Sequence, residues 1–368
     1  MKSNLLKSFV NLLGERETIS AIKTAIALDK SKKIVPITNP VMSFLVEVSS
    51  FEDGNIKYNL RKTPNQSEYK LFNFIAHLFE ELNAEISLNK NYLDEVRRGV
   101  FGNDAGPFYS VLNELITAAY LKSLGKNIKF NSSKESGMPD VEVEDVVFAS
   151  DAKLFPNNRL QLDAAINESR DVLEQVFKGL KNEVIVIFVF NPNRKSIKSS
   201  LIEFSKVFDG KTLNYLDENI HIIPINPEYE GDLQLFNQKN NLLINFQANW
   251  SADQPIEKFK ESILKSVRQS KKAGKMAGTF SMFPADARRH GIEMTAFRFF
   301  GGGHQLVVDN REDIYFILTY SLEYDKKTKQ FAAVVDVFEL GQNIYGISKD
   351  SFLKFLEDSL SVQEVVIK

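Results

Sequence analysis

Two short predicted strands that carry acidic side chains constrain the fold of this chain more than any other feature. Asp140 follows a proline and leads into a strand at 141–143, and a second strand at 146–155 contains Asp151 and Lys153. Side chains alternate between the two faces of a strand, so Asp151 and Lys153 point the same way. Paired strands lie about 4.8 Å apart, so a hairpin of these two strands would bring Asp140 next to Asp151.

Two carboxylates and an amine in this arrangement could form a hydrolytic metal site. Carboxylate oxygens suit Mg²⁺, for which Mn²⁺ can substitute. Lys153 would orient or help to deprotonate an attacking water, or neutralise charge that develops on a phosphate. Glu114, in a predicted helix that begins at Phe108, would add a ligand or hold a metal-bound water. The alternative is a solvated strand edge, at which Asp151 and Lys153 form only a weak surface ion pair.

The order of these elements resembles the PD-(D/E)XK nuclease superfamily, which includes restriction endonucleases, repair nucleases and junction resolvases. The resemblance covers residues 108–226, roughly a third of the chain. It implies that Asp140 and Asp151 are metal ligands, that Lys153 is the catalytic lysine and that Glu114 is a supporting acid and further ligand. The implied cofactor is Mg²⁺, with Mn²⁺ as a substitute.

The chain departs from the superfamily's patterns in two places. Asp151 stands where glutamate is commoner, a change that the superfamily tolerates. The Gln-x-x-x-Tyr element of the helicase-associated branch is absent. The residue four positions after Gln161 is Ala165, and the residue four positions after Gln175 is Gly179, so neither is tyrosine. The pattern therefore assigns no subfamily.

We expect an α/β fold, with a restriction-endonuclease-like mixed sheet flanked by helices. We predict three regions. Residues 1–100 form a helical N-terminal region with a β-hairpin, residues 101–230 form the nuclease-like core, and residues 231–368 form a C-terminal α+β domain. In the core, the runs at 184–190 and 220–225 are expected to lie in the same sheet as the two acidic strands. In the first region, strands are predicted at residues 44–48 and 55–60. In the last region, an antiparallel sheet is predicted from strands at 297–300, 305–308, 314–324 and 331–340.

Basic residues suggest where a polynucleotide would bind. The net charge of the chain is −2, so phosphate contacts would need a local basic patch. A predicted amphipathic helix at 255–272 supplies one, although a solvated lysine-rich face is the simpler explanation. The residues expected to contact nucleic acid are Arg159, Arg194, Lys195, Lys265, Arg268, Lys271 and Lys272.

Composition narrows the remaining choices. The chain has no cysteine, which excludes disulfides, Cys-ligated zinc and iron–sulfur clusters and fits a cytoplasmic location. No window is apolar for the length of a membrane span. The resemblance implies metal-dependent hydrolysis of phosphodiester bonds in DNA, by endonuclease rather than exonuclease action, in restriction, defence or repair, with a possible homodimer for duplex cutting. The alternatives are a nuclease that acts on RNA and an inactive scaffold that binds nucleic acid or protein.

Overall fold

The structure, a computed structural model, describes most of the chain. The described residues are 9–30, 39–52, 55–58, 66–132, 137–154, 169–177, 180, 184–190, 194–209, 214–225, 235–237, 242–248, 253–283, 302–325, 327–339, 345–360 and 362–364. The predicted strand at 297–300 and the predicted contact residue Arg159 lie outside these ranges.

The first part of the described chain is mainly helical. Its helices are α1 (Glu15–Lys30), α2 (Pro40–Val48), α3 (Gln66–Leu88), α4 (Lys90–Phe101) and α5 (Ala105–Ser123), and its antiparallel hairpin is β1 (Ser49–Glu52) with β2 (Asn55–Tyr58). The strand predicted at 44–48 was wrong, because these residues belong to α2. Asn39 caps that helix by accepting hydrogen bonds from the N–H groups of Val41 and Met42, and Pro40 fits the first helical position.

A mixed seven-stranded sheet carries the acidic strands. Its strands are β3 (Ile128–Phe130), β4 (Val141–Val143), β5 (Phe148–Leu154), β11 (Met276–Phe283), β12 (Ile314–Asp325), β13 (Gln330–Glu339) and β14 (Val362–Glu364), in the order 14-13-12-11-5-4-3. The predicted antiparallel pairing of β4 with β5 is confirmed. β11 pairs with both β5 and β12 in parallel, so β5 lies inside the sheet.

A second sheet is formed by the chain between β5 and β11. Its strands are β6 (Val184–Val189), β7 (Tyr215–Leu216), β8 (Ile220–Ile225), β9 (Leu235–Asn237) and β10 (Leu242–Ala248), in the order 7-8-6-10-9. Helices α6 (Arg170–Phe177) and α7 (Arg194–Val207) share an apolar core with it. In β6, Ile185, Val186 and Ile187 are all fully buried, so this strand is covered on both faces.

This arrangement corrects the expected grouping of strands. The runs at 184–190 and 220–225 belong to the second sheet, whereas strands after residue 275 complete the sheet of the acidic strands. The predicted division at residue 230 therefore separates strands of one sheet. The predicted C-terminal antiparallel sheet is confirmed only in part. The runs at 314–324 and 331–340 pair as antiparallel strands, β12 and β13, whereas residues 305–308 lie in a helix, α9 (Gly302–Asp309).

Helices cover the seven-stranded sheet on both faces. One face shares a continuous core with the N-terminal helices and with α10 (Lys349–Leu360). The other packs against α9 and α8 (Asp253–Lys272), which contributes Phe259, Ile263 and Val267 to a smaller core. The fold is thus mixed α/β with a mixed sheet between helices, and none of the described helices is long and apolar enough to cross a membrane.

Gly278, in β11, marks a point where the sheet tolerates no side chain. A Cβ there would lie 2.6 Å from Cε1 of Phe316 and 2.7 Å from Cδ2 of Phe148, both fully buried rings. Gly278→Ala is expected to lower the free energy of unfolding by about 2 kcal/mol through overpacking. Urea denaturation measures this change.

Gly106 is the matched control, because a Cβ at that position in α5 meets no atom within 4 Å. Gly106→Ala is expected to raise the free energy of unfolding by about 0.5–1 kcal/mol, since alanine favours a helix. Equal effects of the two substitutions would contradict the packing described around Gly278.

Candidate active site

Asp151 and Lys153 form a buried ion pair on an interior strand. Their side chains leave the same face of β5, and Nζ of Lys153 lies 2.6 Å from Oδ2 of Asp151. The Asp151 side chain is fully buried and that of Lys153 is 14% exposed. The alternative of a solvated edge pair is therefore wrong. A buried pair is held by its surroundings and is costly to break, whereas a surface pair contributes little.

Asp140 joins this pair from the loop before β4. Its Oδ2 accepts a hydrogen bond from the N–H of Ala152 at 3.1 Å and lies 3.9 Å from Nζ of Lys153. Asn131 fixes the loop, since its N–H donates to the carbonyl of Asp140 and its Nδ2 donates to that of Pro139. The Asp140 side chain is 29% exposed, so solvent reaches the cluster from this side.

The charges of the cluster are strongly coupled. Burial, and then the negative charge of Asp151, raise the pKa of Asp140 well above its usual value. Burial also acts to raise the pKa of Asp151, but interactions with Asp140 and Lys153 outweigh it, and the pKa is lowered. Burial would lower the pKa of Lys153, yet the charges of Asp140 and Asp151 raise it. The charges of Asp140, Asp151 and Lys153 therefore act on one another within this cluster.

Glu114 lies in α5, beside the cluster, and interacts with Tyr92. Burial raises the pKa of Glu114 to about 7, and the nearby Tyr92 hydroxyl opposes that rise. The charges of Lys153 and Asp151 also affect its pKa, so Glu114 is within electrostatic reach of the cluster. The described residues contain no group of three or more Asp, Glu, His or Cys side chains that could hold a metal ion. The structure thus brings the two aspartates together, whereas Glu114, the predicted third ligand, lies next to Tyr92.

The raised pKa of Glu114 predicts a pH-dependent effect of Glu114→Gln on stability. A carboxyl group whose pKa is higher in the folded state stabilises the fold below pH 4.5, and this contribution is lost as pH rises through about 7. Glutamine removes the titration and keeps the length of the side chain. When the pH rises from 5 to 8, the free energy of unfolding of the variant should increase by about 2 kcal/mol relative to that of the native chain. This value is reduced because the Glu114 side chain is partly exposed.

Urea denaturation at the two pH values, in metal-free buffer, measures this gain. Glu357→Gln, at an exposed position of α10, is the control substitution. A difference between Glu114→Gln and the native chain that is the same at pH 5 and pH 8 would contradict the proposed titration.

Helix α8 lies against the cluster, although about 100 residues separate it from the acidic strands. Oε1 of Gln269 accepts a hydrogen bond from Nζ of Lys153 at 3.3 Å, and its Nε2 donates to the carbonyl of Met138 at 2.9 Å. Gly137 has a φ of +80°, and a Cβ there would collide with Nζ of Lys272. Just after the helix, Lys275 donates to the carbonyl of Val143. Gln269 could not be identified from the sequence, because an isolated glutamine in a helix carries no recognisable signal.

The predicted phosphate contacts separate into two groups. Lys265, Arg268 and Lys272 are exposed on α8, the helix that contacts the site. Lys271, also exposed, forms an ion pair with Asp313 at 2.8 Å. Arg194 and Lys195 lie in the first turn of α7, which packs on the second sheet. The first group thus lies on the helix that contacts the site, and the second lies on a helix of the other sheet.

Asn113 ties the helix of Glu114 to the strands of the site. Its Nδ2 donates to the carbonyls of Lys153 and Phe280, at 3.0 and 3.2 Å, and its Oδ1 accepts from the hydroxyl of Tyr320 at 2.7 Å. All three bonds are formed by a fully buried side chain. They fix the backbone of Lys153 relative to α5, and sequence analysis did not identify this residue.

The donor set fits a hard divalent cation. Mg²⁺ usually binds to proteins through one or two carboxylates and keeps several waters or substrate oxygens. Asp140 and Asp151 supply two such carboxylates. Burial, and then the negative charge of Asp151, raise the pKa of Asp140, and a cation would relieve this unfavourable charge. Comparison of the chain with protein-family models, curated proteins and solved structures finds no significant match.

Proposed function

We propose that this chain is a metal-dependent nuclease of the restriction-endonuclease-like type, which hydrolyses phosphodiester bonds in DNA. The observation that supports this most is the buried cluster itself. Asp151 is completely buried, is paired with Lys153 at 2.6 Å, and raises the pKa of a second aspartate. Burial of these groups costs free energy, and such arrangements are concentrated at functional sites. The resemblance in motif order points to the same chemistry.

Asp140 and Asp151 would hold Mg²⁺ or Mn²⁺, which supplies Lewis acidity and binds phosphoryl oxygens when present. The ammonium of Lys153 would donate to a phosphate oxygen and stabilise the negative charge that grows there during hydrolysis. Glu114, with a pKa of about 7, would exchange a proton with water near neutral pH. The phosphate approaches from the side of Asp140, which is the most exposed of the cluster's side chains.

The exposed cations of α8 would hold the polynucleotide. Lys265, Arg268 and Lys272 are placed on the helix that touches both Lys153 and the loop of Asp140. Contacts of this type bind backbone phosphates irrespective of sequence and weaken as salt concentration rises. Substrate binding should therefore decline with added NaCl, and a homodimer would be needed to cut both strands of a duplex.

A scaffold that binds nucleic acid or protein without cleavage is the second candidate. The observation that favours it is the close approach of Lys153 to Asp151, because the ammonium occupies an oxygen that a cation would need. A scaffold would keep the basic face of α8 and would have no use for the cation.

Incubation of the purified chain with labelled linear DNA, circular DNA and RNA separates these possibilities. Each substrate is tested with Mg²⁺, with Mn²⁺ and with a chelator. We expect cleavage of linear and circular DNA with either metal and none with the chelator. Cleavage of RNA alone would show that the substrate is RNA and not DNA. Cleavage of linear DNA alone would indicate an exonuclease, and salt-sensitive binding without any cleavage would support the scaffold.

A further inference from the structure

Gln269 connects the candidate catalytic lysine to the loop that carries Asp140. Its amide nitrogen donates to the carbonyl of Met138, two residues before Asp140, and its amide oxygen accepts from Lys153. The carbonyl of Met138 can only accept and the ammonium of Lys153 can only donate, so these two neighbours determine which end of the amide faces the lysine. The oxygen end is thereby held towards Nζ.

The partners of Lys153 differ in charge. Its ammonium lies 2.6 Å from Oδ2 of Asp151 and 3.9 Å from Oδ2 of Asp140, both of which are proposed to bind the cation. A divalent cation repels the ammonium and competes with it for the same oxygens. Gln269 provides an acceptor that is uncharged and is already occupied at its other end by Met138. It can therefore keep the lysine in the site while the aspartates bind the cation.

We propose that Gln269 is a positioning residue, which holds the ammonium of Lys153 so that Asp151 can be shared between the lysine and a divalent cation. The inference rests on the proposed function for the role of the cation. The positioning of Lys153 itself does not depend on that function, so the two can be tested separately.

The first experiment is performed without metal and measures how freely Lys153 reacts. Gln269→Met keeps the length of the side chain and removes both polar ends, and Glu261→Met introduces the same side chain at an exposed position of α8. Reductive methylation in the presence of a chelator, followed by peptide mass spectrometry, gives the rate at Lys153. Loss of one hydrogen bond should make that rate about fivefold faster in Gln269→Met, with no change in Glu261→Met.

Gln269→Glu keeps an acceptor for the lysine and adds a negative charge, so it should restore slow methylation although it loses the donor to Met138. Thermal unfolding of each variant shows that it is folded before its rate is compared. If Lys153 reacts at the native rate in folded Gln269→Met, the inference is overturned.

The second experiment measures the affinity for Mn²⁺ by calorimetry. In Gln269→Met the ammonium has only the aspartates as partners, so Mn²⁺ should bind about fivefold more weakly than to the native chain.

The two measurements distinguish failure of the inference from failure of the proposed function. If Gln269→Met changes the methylation rate but the native chain binds no Mn²⁺ and cleaves no DNA, Gln269 positions Lys153 and the nuclease proposal fails. If the native chain binds Mn²⁺ and cleaves DNA while Gln269→Met matches it in rate and affinity, the nuclease proposal remains and the inference about Gln269 fails.

Discussion

Asp151→Asn is expected to reduce metal-dependent cleavage of DNA about a thousandfold, because asparagine keeps the shape of the side chain but loses the charge that binds the cation. The position offers no substitute, since Asp151 is fully buried on an interior strand and Asp140 is the only other aspartate in contact with Lys153 among the described residues. Initial rates of cleavage of a labelled duplex, at saturating Mn²⁺, measure the effect.

The same substitution should also lower the free energy of unfolding by about 3 kcal/mol, because it leaves the ammonium of Lys153 buried without its nearest partner. This second effect allows chemistry to be separated from folding. The double variant Asp151→Asn with Lys153→Met removes both charges and should recover most of the stability while it stays inactive.

Asp145→Asn is the matched control for the loss of one aspartate. Asp145 lies in the turn between β4 and β5 with a φ of 56°, a conformation that asparagine also tolerates. Its activity and stability should equal those of the native chain. Cleavage by Asp151→Asn at a rate comparable to that of Asp145→Asn would exclude Asp151 from catalysis.

Asn113→Ala is expected to lower the free energy of unfolding by about 3 kcal/mol, the second largest of the expected effects. The substitution removes hydrogen bonds to the carbonyls of Lys153 and Phe280 and leaves the hydroxyl of Tyr320 buried without its acceptor. Cleavage of DNA should also decrease, since the backbone of Lys153 is no longer fixed to α5. Urea denaturation and initial rates measure the two effects.

A double-mutant cycle with Tyr320→Phe tests whether these hydrogen bonds act together. If Tyr320 and Asn113 are coupled as described, the double variant should be more stable than the sum of the single effects predicts, because no hydroxyl remains unsatisfied. Strict additivity of the two substitutions would contradict the hydrogen bond between them.

The cluster of Asp140, Asp151 and Lys153 could be predicted because it depends on local rules. The alternation of side chains along β5 and the hairpin of β4 with β5 are both encoded within about fifteen residues. The long amphipathic pattern of α8 is equally local, and its helix was predicted within a few residues. The cation, the reaction and the nucleic acid stay predictions.

The partners of these elements could not be predicted because they depend on contacts between distant segments. Strand β11 lacks a clear strand pattern, since Gly278, Thr279 and Ser281 interrupt its apolar residues. Gly278 is explained only by the neighbouring rings of Phe148 and Phe316, which come from other strands of the sheet. The contact of Gln269 with Lys153 follows in turn from β11, because β11 brings α8 back over β5.

The second sheet, placed in sequence between β5 and β11, also sets the order in which the protein can assemble during translation. At about 5–20 residues per second, the ribosome completes β5 roughly 6–24 s before it completes the start of β11. During that interval the strand that holds Asp151 has a free edge, a state prone to association with other nascent chains. Slowly translated or overexpressed chains should therefore aggregate through this strand, and co-production with a chaperone that shields nascent chains should raise the yield of folded protein.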